Sequence, residues 1–316
     1  MSSSRVAAWV LCTVLTVALC RWLERAGARA GDDAGPWRRA LARFHHDRVA
    51  MVALWLVVAA SMVAALAPWL APYSPTATPD IVELKNLPPS FAHFMGTDFA
   101  SRDVFSRLLY GARVSLSIAL LAILLSATVG TLYGAAAGYY GGRVDAVMMR
   151  IIDAALSVPR ILLLITLLVL WGAVPVAALI VVLGFTGWFG VSRLVRAEVL
   201  ALKERDMVVA ARALGARDRD IILRHILPNV VSPVVVAATL GIANVIVIEA
   251  GLSYLGIGVR PPLPSWGNMI QDGVSQIATV WWVSLFPGLA IVATVMAFNI
   301  IGDGLRDALD PRQLDG

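Results

Sequence analysis

The sequence predicts an all-α fold, a polytopic transmembrane helical bundle, and its composition and apolar patterning support this fold class. The chain of 316 residues is 59% hydrophobic and only 15% charged, and its mean hydropathy is +0.78. Soluble domains have a smaller apolar share. Several stretches are about 20 residues long and almost free of charge, which is the length that crosses a hydrocarbon layer about 30 Å thick. The predicted environment is therefore a lipid bilayer.

Seven apolar segments follow one another along the chain, and each is a candidate crossing. They cover residues 6–22, 49–71, 113–138, 150–172, 175–195, 233–256 and 281–302. Pro159 lies inside the fourth segment and Pro287 near the start of the last, where a missing N–H predicts a kink or a helix start. The six segments after residue 48 form the predicted core, in a membrane domain that covers residues 49–312.

The first apolar segment, residues 6–22, leaves more than one interpretation open. A cleaved secretory signal is disfavoured, because the basic residues that follow would have to be exported. An anchor helix that enters from outside is favoured over a helix that lies in the membrane surface. Cys12 and Cys20 both lie in this segment, and we interpret them as small apolar side chains rather than as a disulfide pair. Residues 1–48 are thus predicted to be an anchor helix and a basic cytoplasmic linker.

The basic residues give the predicted orientation, because membrane proteins concentrate Lys and Arg in cytoplasmic loops. Two polar stretches, 23–48 and 196–232, hold 12 of the 24 arginines, and we place both inside. The clear basic residues left outside are Lys85, Arg102, Arg107 and Arg260. The enrichment of basic residues in cytoplasmic loops thus explains the net charge of +5, and no nucleic-acid partner is predicted. An external loop at 73–112 and a cytoplasmic tail at 313–316 follow from this orientation.

The most informative cytoplasmic segment is residues 205–228, within the sequence ERDMVVAARALGARDRDIILRHILPN of Glu204–Asn229. Its first half has apolar and small residues at helical spacing, Gly215 breaks this helix, and a second short helix reaches Pro228. Two short Ala-rich helices can dock closely into a groove on a soluble partner. An ordinary amphipathic loop has the same periodicity, so spacing alone does not separate the two interpretations.

The same segment resembles the EAA signature, the coupling elbow of ABC importer permeases. The resemblance is carried by AARALGA followed by IILRHILPN, although Val209 stands where the family commonly has Glu. Other stretches are similar to peptide permeases, with Ser101 at a position where Gly is common. They are GTDFASRDVFSRLLYGARVSLSIAL at 96–120, GYYGGRVDAVMMRIIDAALSVPRILLLI at 138–165, SYLGIGVRPPLPSWGNMIQDG at 253–273 and FPGLAIVATVMAFNIIGDGLRDALDPR at 286–312.

The chain is therefore identified as a C-type permease of the dipeptide, oligopeptide and nickel group. This resemblance implies a type I ABC importer permease with six core helices plus one extra amino-terminal helix, in the bacterial inner membrane. It also implies a B-type permease as the other half of the path, an external binding protein that delivers the solute, and two ABC ATPase subunits that bind ATP and Mg²⁺. The implied ATPase-coupling residues are Ala210, Ala211, Arg212, Gly215, Ile226, Leu227 and Pro228. No role of the missing carboxylate is carried over to Val209.

No constellation for catalysis or for a resident cofactor stands out in the sequence. A P-loop places a lysine in a glycine-rich turn, and the only lysines, Lys85 and Lys203, lie in no such context. His45 and His46 lack nearby carboxylate or thiol partners, so they predict a solvated interfacial pair rather than a metal site. We therefore expect no enzyme activity, cofactor or metal in this chain.

Four polar residues inside the apolar segments are candidates for the translocation path or a subunit interface: Glu249, Arg160, Asn244 and Asn299. An ionisable side chain at the bilayer centre costs about 2.5–3.5 kcal/mol unless it is paired or hydrated. Glu249 is therefore expected either to hydrogen bond at the subunit interface or to lie beside the path, with Arg160 as a candidate partner. The two asparagines are expected to form interhelical hydrogen bonds rather than to bind solute.

The last external loop contains Ser265, Trp266, Asn268 and Asp272. One interpretation packs this loop on the helix ends, and the other brings it into contact with the binding protein; the first is slightly favoured. Two other classes of function stay open from the residues alone, an ion-coupled secondary transporter and a membrane scaffold. Secondary transporters usually have two corresponding halves, and the sequence has no convincing internal repeat.

Overall fold

A computed structural model describes residues 36–172 and 174–309. These residues form helices joined by turns and irregular loops, and an isolated bridge joins Thr97 to Asp103. The predicted anchor at 6–22, with Cys12 and Cys20, and the tail at 313–316 lie outside the described residues. The helices are α1 Pro36–His46, α2 Arg48–Leu70, α3 Val104–Tyr140, α4 Gly142–Leu156, α5 Arg160–Trp171, α6 Val176–Leu202, α7 Asp206–Ala213, α8 Asp218–Ile221, a π-helical turn Ile222–Ile226, α9 Leu227–Tyr254, α10 Trp266–Val274 and α11 Trp282–Leu309.

Five helical segments of the described chain are long and apolar enough to cross a membrane: α2, α3, α6, Asp218–Tyr254 and α11. Helices α4 and α5 qualify only as a pair, and they meet at 77° across a break at 157–159. The crossing predicted at 150–172 therefore begins earlier than predicted, at Gly142, and it is bent. Pro159, which has no N–H to donate, lies in this break, as the sequence predicted for a kink.

Helices α3 and α6 pack along a seam of three glycines, Gly130, Gly134 and Gly138. A Cβ atom at Gly130 would stand 2.7 Å from Val191, and one at Gly138 would stand 2.9 Å from the carbonyl oxygen of Arg196. Glycine permits this approach, as small residues generally do between membrane helices. The contacts advance in the same direction along both helices, so α3 and α6 are parallel. The α4–α5 pair between them must therefore cross the membrane once.

Contacts at the helix ends place the loops on two sides. Leu70, at the end of α2, belongs to the same apolar cluster as Leu109 near the start of α3. Phe44 of α1 lies close to Gly304 near the end of α11. Helix α1, the elbow and the end of α11 therefore share one side, and residues 71–103 share the other with α10. The basic residues predict that the first side is the cytoplasmic one.

Some helix boundaries differ from the apolar segments. α3 begins at Val104 rather than at 113, because Asp103 caps its first turn by accepting a 2.7 Å hydrogen bond from the N–H of Ser106. α6 continues to Leu202, and α9 begins at Leu227 rather than at 233. Hydropathy marks the part of a helix that lipid surrounds, whereas its polar end turns keep the same backbone hydrogen bonds.

A buried group of four charged residues fastens the external loop to the bundle. Arg102 donates to Asp98 at 2.7 Å, and Arg107 also contacts Asp98. Both arginines reach Asp272 of α10, at 3.0 and 2.9 Å. The side chain of Asp98 is fully buried and that of Arg107 is 2% exposed, so each charge depends on the others to offset its lost hydration. The cluster joins residues 71–103, α3 and α10.

Candidate functional site

The elbow, residues 205–228, is anchored to the bundle by large apolar side chains. Val208 of α7, Ile221 of α8 and Ile226 of the π-helical turn are fully buried in one cluster with Val199 of α6. Gly215, with a φ of +80°, makes the turn between α7 and α8, a conformation that costs other residues about 1–2 kcal/mol. The elbow is therefore a packed part of the fold rather than a loose loop.

The opposite face of the elbow exposes apolar side chains to solvent. Leu214 is 89% exposed, Val209 53% and Met207 38%. Ala210 beside them is exposed as well. A group of exposed apolar side chains on a small folded unit is typical of a surface that another protein covers. This face favours the docking interpretation of residues 205–228 over an ordinary loop.

The residues predicted to couple to a partner fall into three groups by exposure. The exposed ones are Ala210, Arg212, Gly215 and Pro228, and the half-buried ones are Ala211 and Leu227. Ile226 is fully buried, so direct contact between its side chain and a partner is ruled out in this conformation. The helical register turns Ile226 toward the same interior cluster as Ile221 and Val230. Its side chain packs the elbow against the bundle.

Polar contacts that the sequence did not indicate connect the elbow to the end of α3. The hydroxyl of Tyr139 donates a hydrogen bond of 2.5 Å to Asp218 in the first turn of α8. The guanidinium of Arg212 lies over the Tyr139 ring, 5.8 Å from its centroid. Tyr139 and Asp218 are 79 positions apart, so no local pattern reveals the pair. Any movement of the elbow relative to α3 has to change these contacts.

Glu249 of α9 is fully buried and accepts hydrogen bonds from two serine hydroxyls. Ser115 of α3 donates to one carboxylate oxygen at 3.0 Å, and Ser253 donates to the other at 2.7 Å. The same hydroxyls accept from the backbone N–H groups of Trp266 and Val259. Of the two roles foreseen for Glu249, the structure supports hydrogen bonding, but within this chain, where it joins α3, α9 and the loop before α10.

The ion pair between Arg160 and Glu249 that the sequence suggested is not formed. Arg160, the first residue of α5, donates to the carbonyl oxygen of Leu183 at 3.1 Å and to the hydroxyl of Thr186 at 3.4 Å. The hypothesis was wrong because α5 packs on α6, whereas Glu249 faces Ser115 on α3.

A cavity of about 220 Å³ lies beside Arg160, between α3, α5, α6 and α9. Its polar lining side chains are Ser126, Arg160 and Asn244, and small or apolar residues form the rest. Two of the four predicted path residues thus meet here, while Glu249 and Asn299 lie elsewhere. Both asparagines are exposed on the isolated chain, and neither makes a side-chain hydrogen bond to any described residue, so the expected interhelical bonds are not formed.

The candidate residues of the last external loop pack within the chain. Ser265, Trp266 and Asn268 are buried at the start of α10. Ser265 and Asn268 cap this helix reciprocally, with hydrogen bonds of 3.3 and 2.9 Å. The indole N–H of Trp266 donates to the carbonyl oxygen of Leu108, and Asp272 belongs to the external ion cluster. These contacts agree with the packing alternative foreseen for the loop.

Comparisons with known families agree with this architecture. A family model described as binding-protein-dependent transport system inner membrane component matches residues 130–315, and one described as N-terminal TM domain of oligopeptide transport permease C matches residues 35–89. The chain is 41% identical over 277 residues to the dipeptide transport system permease protein DppC of Bacillus subtilis (strain 168), which covers 87% of this chain and 84% of that protein.

Two further relatives point the same way. The glutathione transport system permease protein GsiD of Escherichia coli O6:K15:H31 (strain 536 / UPEC) is 42% identical over 277 residues, which cover 88% of this chain and 91% of that protein. A solved chain of the MetNI methionine ABC transporter in an inward-facing conformation matches with a TM-score of 0.51 and 20% identity, over 65% of this chain and 96% of that one. That structural match supports the fold alone. From the family match and these relatives, the chain belongs to the binding-protein-dependent transport system inner membrane component family, as a multi-pass permease subunit of an ABC importer in the bacterial inner membrane.

Proposed function

We propose that this chain and a B-type permease form the translocation path for dipeptides, oligopeptides or similar small solutes that a binding protein delivers from outside. Relatives named for dipeptide, oligopeptide and glutathione transport support this solute class. Two ATPase subunits, which bind ATP and Mg²⁺, drive the path through residues 205–228. This chain supplies one half of the translocation path and, in residues 205–228, the surface that receives force from the ATPase subunits.

The exposed apolar face of the elbow carries this proposal. Leu214, Val209 and Met207 project on the cytoplasmic side, where water is the alternative to a protein partner. Burying such side chains in a groove is favourable by about 25 cal/mol per Å² of apolar surface. Because Val208 and Ile221 are packed into the bundle beneath them, a displacement of the partner moves α6 and α9 rather than a flexible loop.

The elbow leads directly into the path through the π-helical turn Ile222–Ile226, which continues into α9. A π-helical turn has a wider hydrogen-bonded ring than an α-helix and is frequent at functional sites. Alternating access by rocking of packed helices needs such a connection between the driven surface and the path. α9 contributes Gly241 and Asn244 to the wall of the cavity, so its tilt changes that wall.

The binding protein is expected to contact the external loop rather than the start of α10. Ser265, Trp266 and Asn268 are buried in this chain, whereas Val82 is 91% exposed and Phe91 is 99% exposed. Apolar side chains of this size with almost complete exposure are typical of residues that a partner covers. We therefore assign the external docking surface to residues 73–103, which the Asp98 cluster holds on the bundle.

The test is a pair of substitutions on opposite sides of the membrane, in the complex of both permeases, the ATPase subunits and the binding protein. Leu214→Asp places a charge in the proposed groove, where it would be desolvated, and is expected to remove most of the co-purified ATPase subunit while the B-type permease is retained. Val82→Asp is the matched control, because its side chain is equally exposed but external, and it should retain the ATPase subunits. Wild-type retention and solute-stimulated hydrolysis in the Leu214→Asp complex would refute the proposal.

A further inference from the structure

The cavity beside Arg160 lies at the depth of the bilayer centre. Gly187 lies near the middle of α6 (Val176–Leu202), and Gly241 lies near the middle of α9 (Leu227–Tyr254); both line the cavity. Its volume of about 220 Å³ is below the several hundred Å³ of sites that enclose a whole small ligand. The cavity therefore fits one end of a solute of dipeptide size, together with water.

Arg160 brings a positive charge to this cavity without a negative partner among the described residues. Its guanidinium donates to two neutral oxygens, those of Leu183 and Thr186, and to no carboxylate. A guanidinium has five N–H donors in a planar fork that matches the two oxygens of a carboxylate. A charged side chain at this depth normally has a counter-ion or faces water. The site is therefore short of an anion.

A second polar group borders the same space without a partner. Ser126 is 2% exposed, and its hydroxyl makes no hydrogen bond. A Cβ atom at Gly187 would stand 2.9 Å from this hydroxyl and 3.2 Å from Nη2 of Arg160, so the glycine keeps the space between them open. At Gly190, which also lines the cavity, a Cβ atom would meet nothing within 4 Å. Two donors thus converge on a space that small residues leave free.

We propose that this cavity is a transient binding site for the carboxylate of the transported solute, with Arg160 and Ser126 as its donors and Asn244 at its edge. The proposal rests on the proposed function for its solute class, since dipeptides and oligopeptides end in a carboxylate. One wall of the site belongs to α9, which the elbow moves, so a carboxylate held at mid-membrane would be released when that wall shifts.

The first experiment measures binding without transport. The purified complex of both permeases and the ATPase subunits, without the binding protein, is heated with millimolar N-acetyl-dialanine or with its carboxy-terminal amide. The free acid is expected to raise the unfolding temperature of the wild-type complex, and the amide is not. Arg160→Gln should abolish this shift and Arg160→Lys should keep part of it. Arg193→Gln removes an exposed guanidinium that pairs with Asp153 outside the cavity, and it should leave the shift unchanged.

Ser126→Ala keeps the proposal testable if the Arg160→Gln chain itself fails to fold. Because the Ser126 hydroxyl is buried and unpartnered, its removal should leave the ligand-free complex at least as stable as wild type. The same substitution should weaken the apparent affinity for the free acid about tenfold. A purely structural role of Ser126 would change the unfolding temperature without ligand and leave the affinity unaltered.

The second experiment measures uptake of a labelled dipeptide into proteoliposomes at saturating liganded binding protein. Arg160→Gln is expected to lower uptake about tenfold while solute-stimulated ATP hydrolysis continues. Normal uptake by Arg160→Gln would overturn the proposal, and so would an equal rise of the unfolding temperature with the acid and with the amide. Loss of the B-type permease from the Arg160→Gln complex would overturn it as well, because the anion that pairs with Arg160 would then belong to the partner. A wild-type complex that binds the free acid but does not import peptides would contradict the proposed function, while the anion site would remain supported.

Discussion

The hydroxyl of Tyr139, near the cytoplasmic end of α3, donates a hydrogen bond of 2.5 Å to the carboxylate of Asp218 in the elbow. This contact joins the longest helix of the described chain to the surface proposed to receive force from the ATPases. The bond and the Arg212 guanidinium above the same ring give α3 a direct polar connection to both short helices of the elbow.

Tyr139→Phe removes this hydrogen bond and keeps the aromatic ring under Arg212. We expect solute-stimulated ATP hydrolysis by the reconstituted complex to fall about tenfold, because a hydrogen bond to a charged group contributes about 1.5 kcal/mol or more. Tyr140→Phe is the matched control, since the Tyr140 side chain is 58% exposed, and it should hydrolyse ATP at the wild-type rate. Equal rates for the two variants would contradict a role of the bond in coupling.

Replacing Gly215 is expected to uncouple the complex without preventing insertion. Gly215→Ala adds a Cβ atom with nothing within 4 Å, so its cost is the left-handed backbone alone, about 1–2 kcal/mol. Gly142→Ala provides the control, because Gly142 also has a positive φ, of +52°, and open space around it. The assay is transport-coupled ATP hydrolysis; normal coupling in Gly215→Ala, or an equal loss in both variants, would count against a specific role of the elbow turn.

A bulky charge at Ala211 is expected to act more strongly than the alanine at Gly215. The Ala211 side chain is half-buried against the apolar cluster that anchors the elbow. A glutamate there must either displace α7 or lose hydration, so Ala211→Glu should abolish solute-stimulated hydrolysis. Membrane insertion, followed by the yield of detergent-purified complex, should stay at the wild-type level, because the substitution lies outside the spanning helices. A normal rate of solute-stimulated ATP hydrolysis in Ala211→Glu would show that α7 is not part of the coupling surface.

Glu249 is expected to tolerate an amide but not an apolar side chain. Glu249→Gln keeps an oxygen that can accept from Ser115 or Ser253, so the free energy of unfolding should fall by about 1 kcal/mol. Glu249→Leu leaves both hydroxyls without an acceptor and should lower it by about 2–4 kcal/mol. Denaturant titration in detergent micelles measures both values. A Gln variant that assembles with full stability but transports no solute would show that the negative charge itself is needed.

Breaking the external ion cluster is expected to destabilise the loop that it holds. Asp98→Ala leaves the buried Arg107 with Asp272 as its remaining carboxylate, and should lower the free energy of unfolding by about 3–5 kcal/mol. Asp80→Ala removes an exposed carboxylate from the same loop, where it caps a turn, and should cost about 1 kcal/mol. Proteolysis of residues 71–103 should accelerate only in the first variant. Similar free energies of unfolding for the two variants would show that the ion cluster does not stabilise the external loop.

The features that the sequence predicted are those with a local signal. The core crossings and the helical elbow follow from apolar length and the pattern around Gly215, and the parallel packing of α3 and α6 agrees with the predicted number of crossings. Pro159 indicated a kink, although neither its 77° angle nor the start of the broken pair at Gly142 could be read from hydropathy. The family resemblance supplied the elbow's motif but not the inward direction of Ile226.

The features that the sequence missed depend on contacts between distant positions. Arg102 and Asp272 are 170 positions apart, and their pairing requires the external loop to fold back on α10. Arg160 and Glu249 were joined as a pair because both are ionisable and lie in apolar segments, yet composition does not say which helix faces which. Ser126 gave no signal at all, since a serine in a membrane helix usually bonds to its own backbone.

The glycine seam between α3 and α6 has a mechanical consequence. The close contacts at Gly130, Gly134 and Gly138 favour movement of α3 and α6 as one unit, because sliding or twisting would bring their backbones into collision. Under the proposed coupling, deformation would be concentrated at the two irregular points beside this pair of helices, the π-helical turn at 222–226 and the bend at 157–159. A displacement of the elbow would then reach the external ends of α3 and α6 with little loss to internal shear.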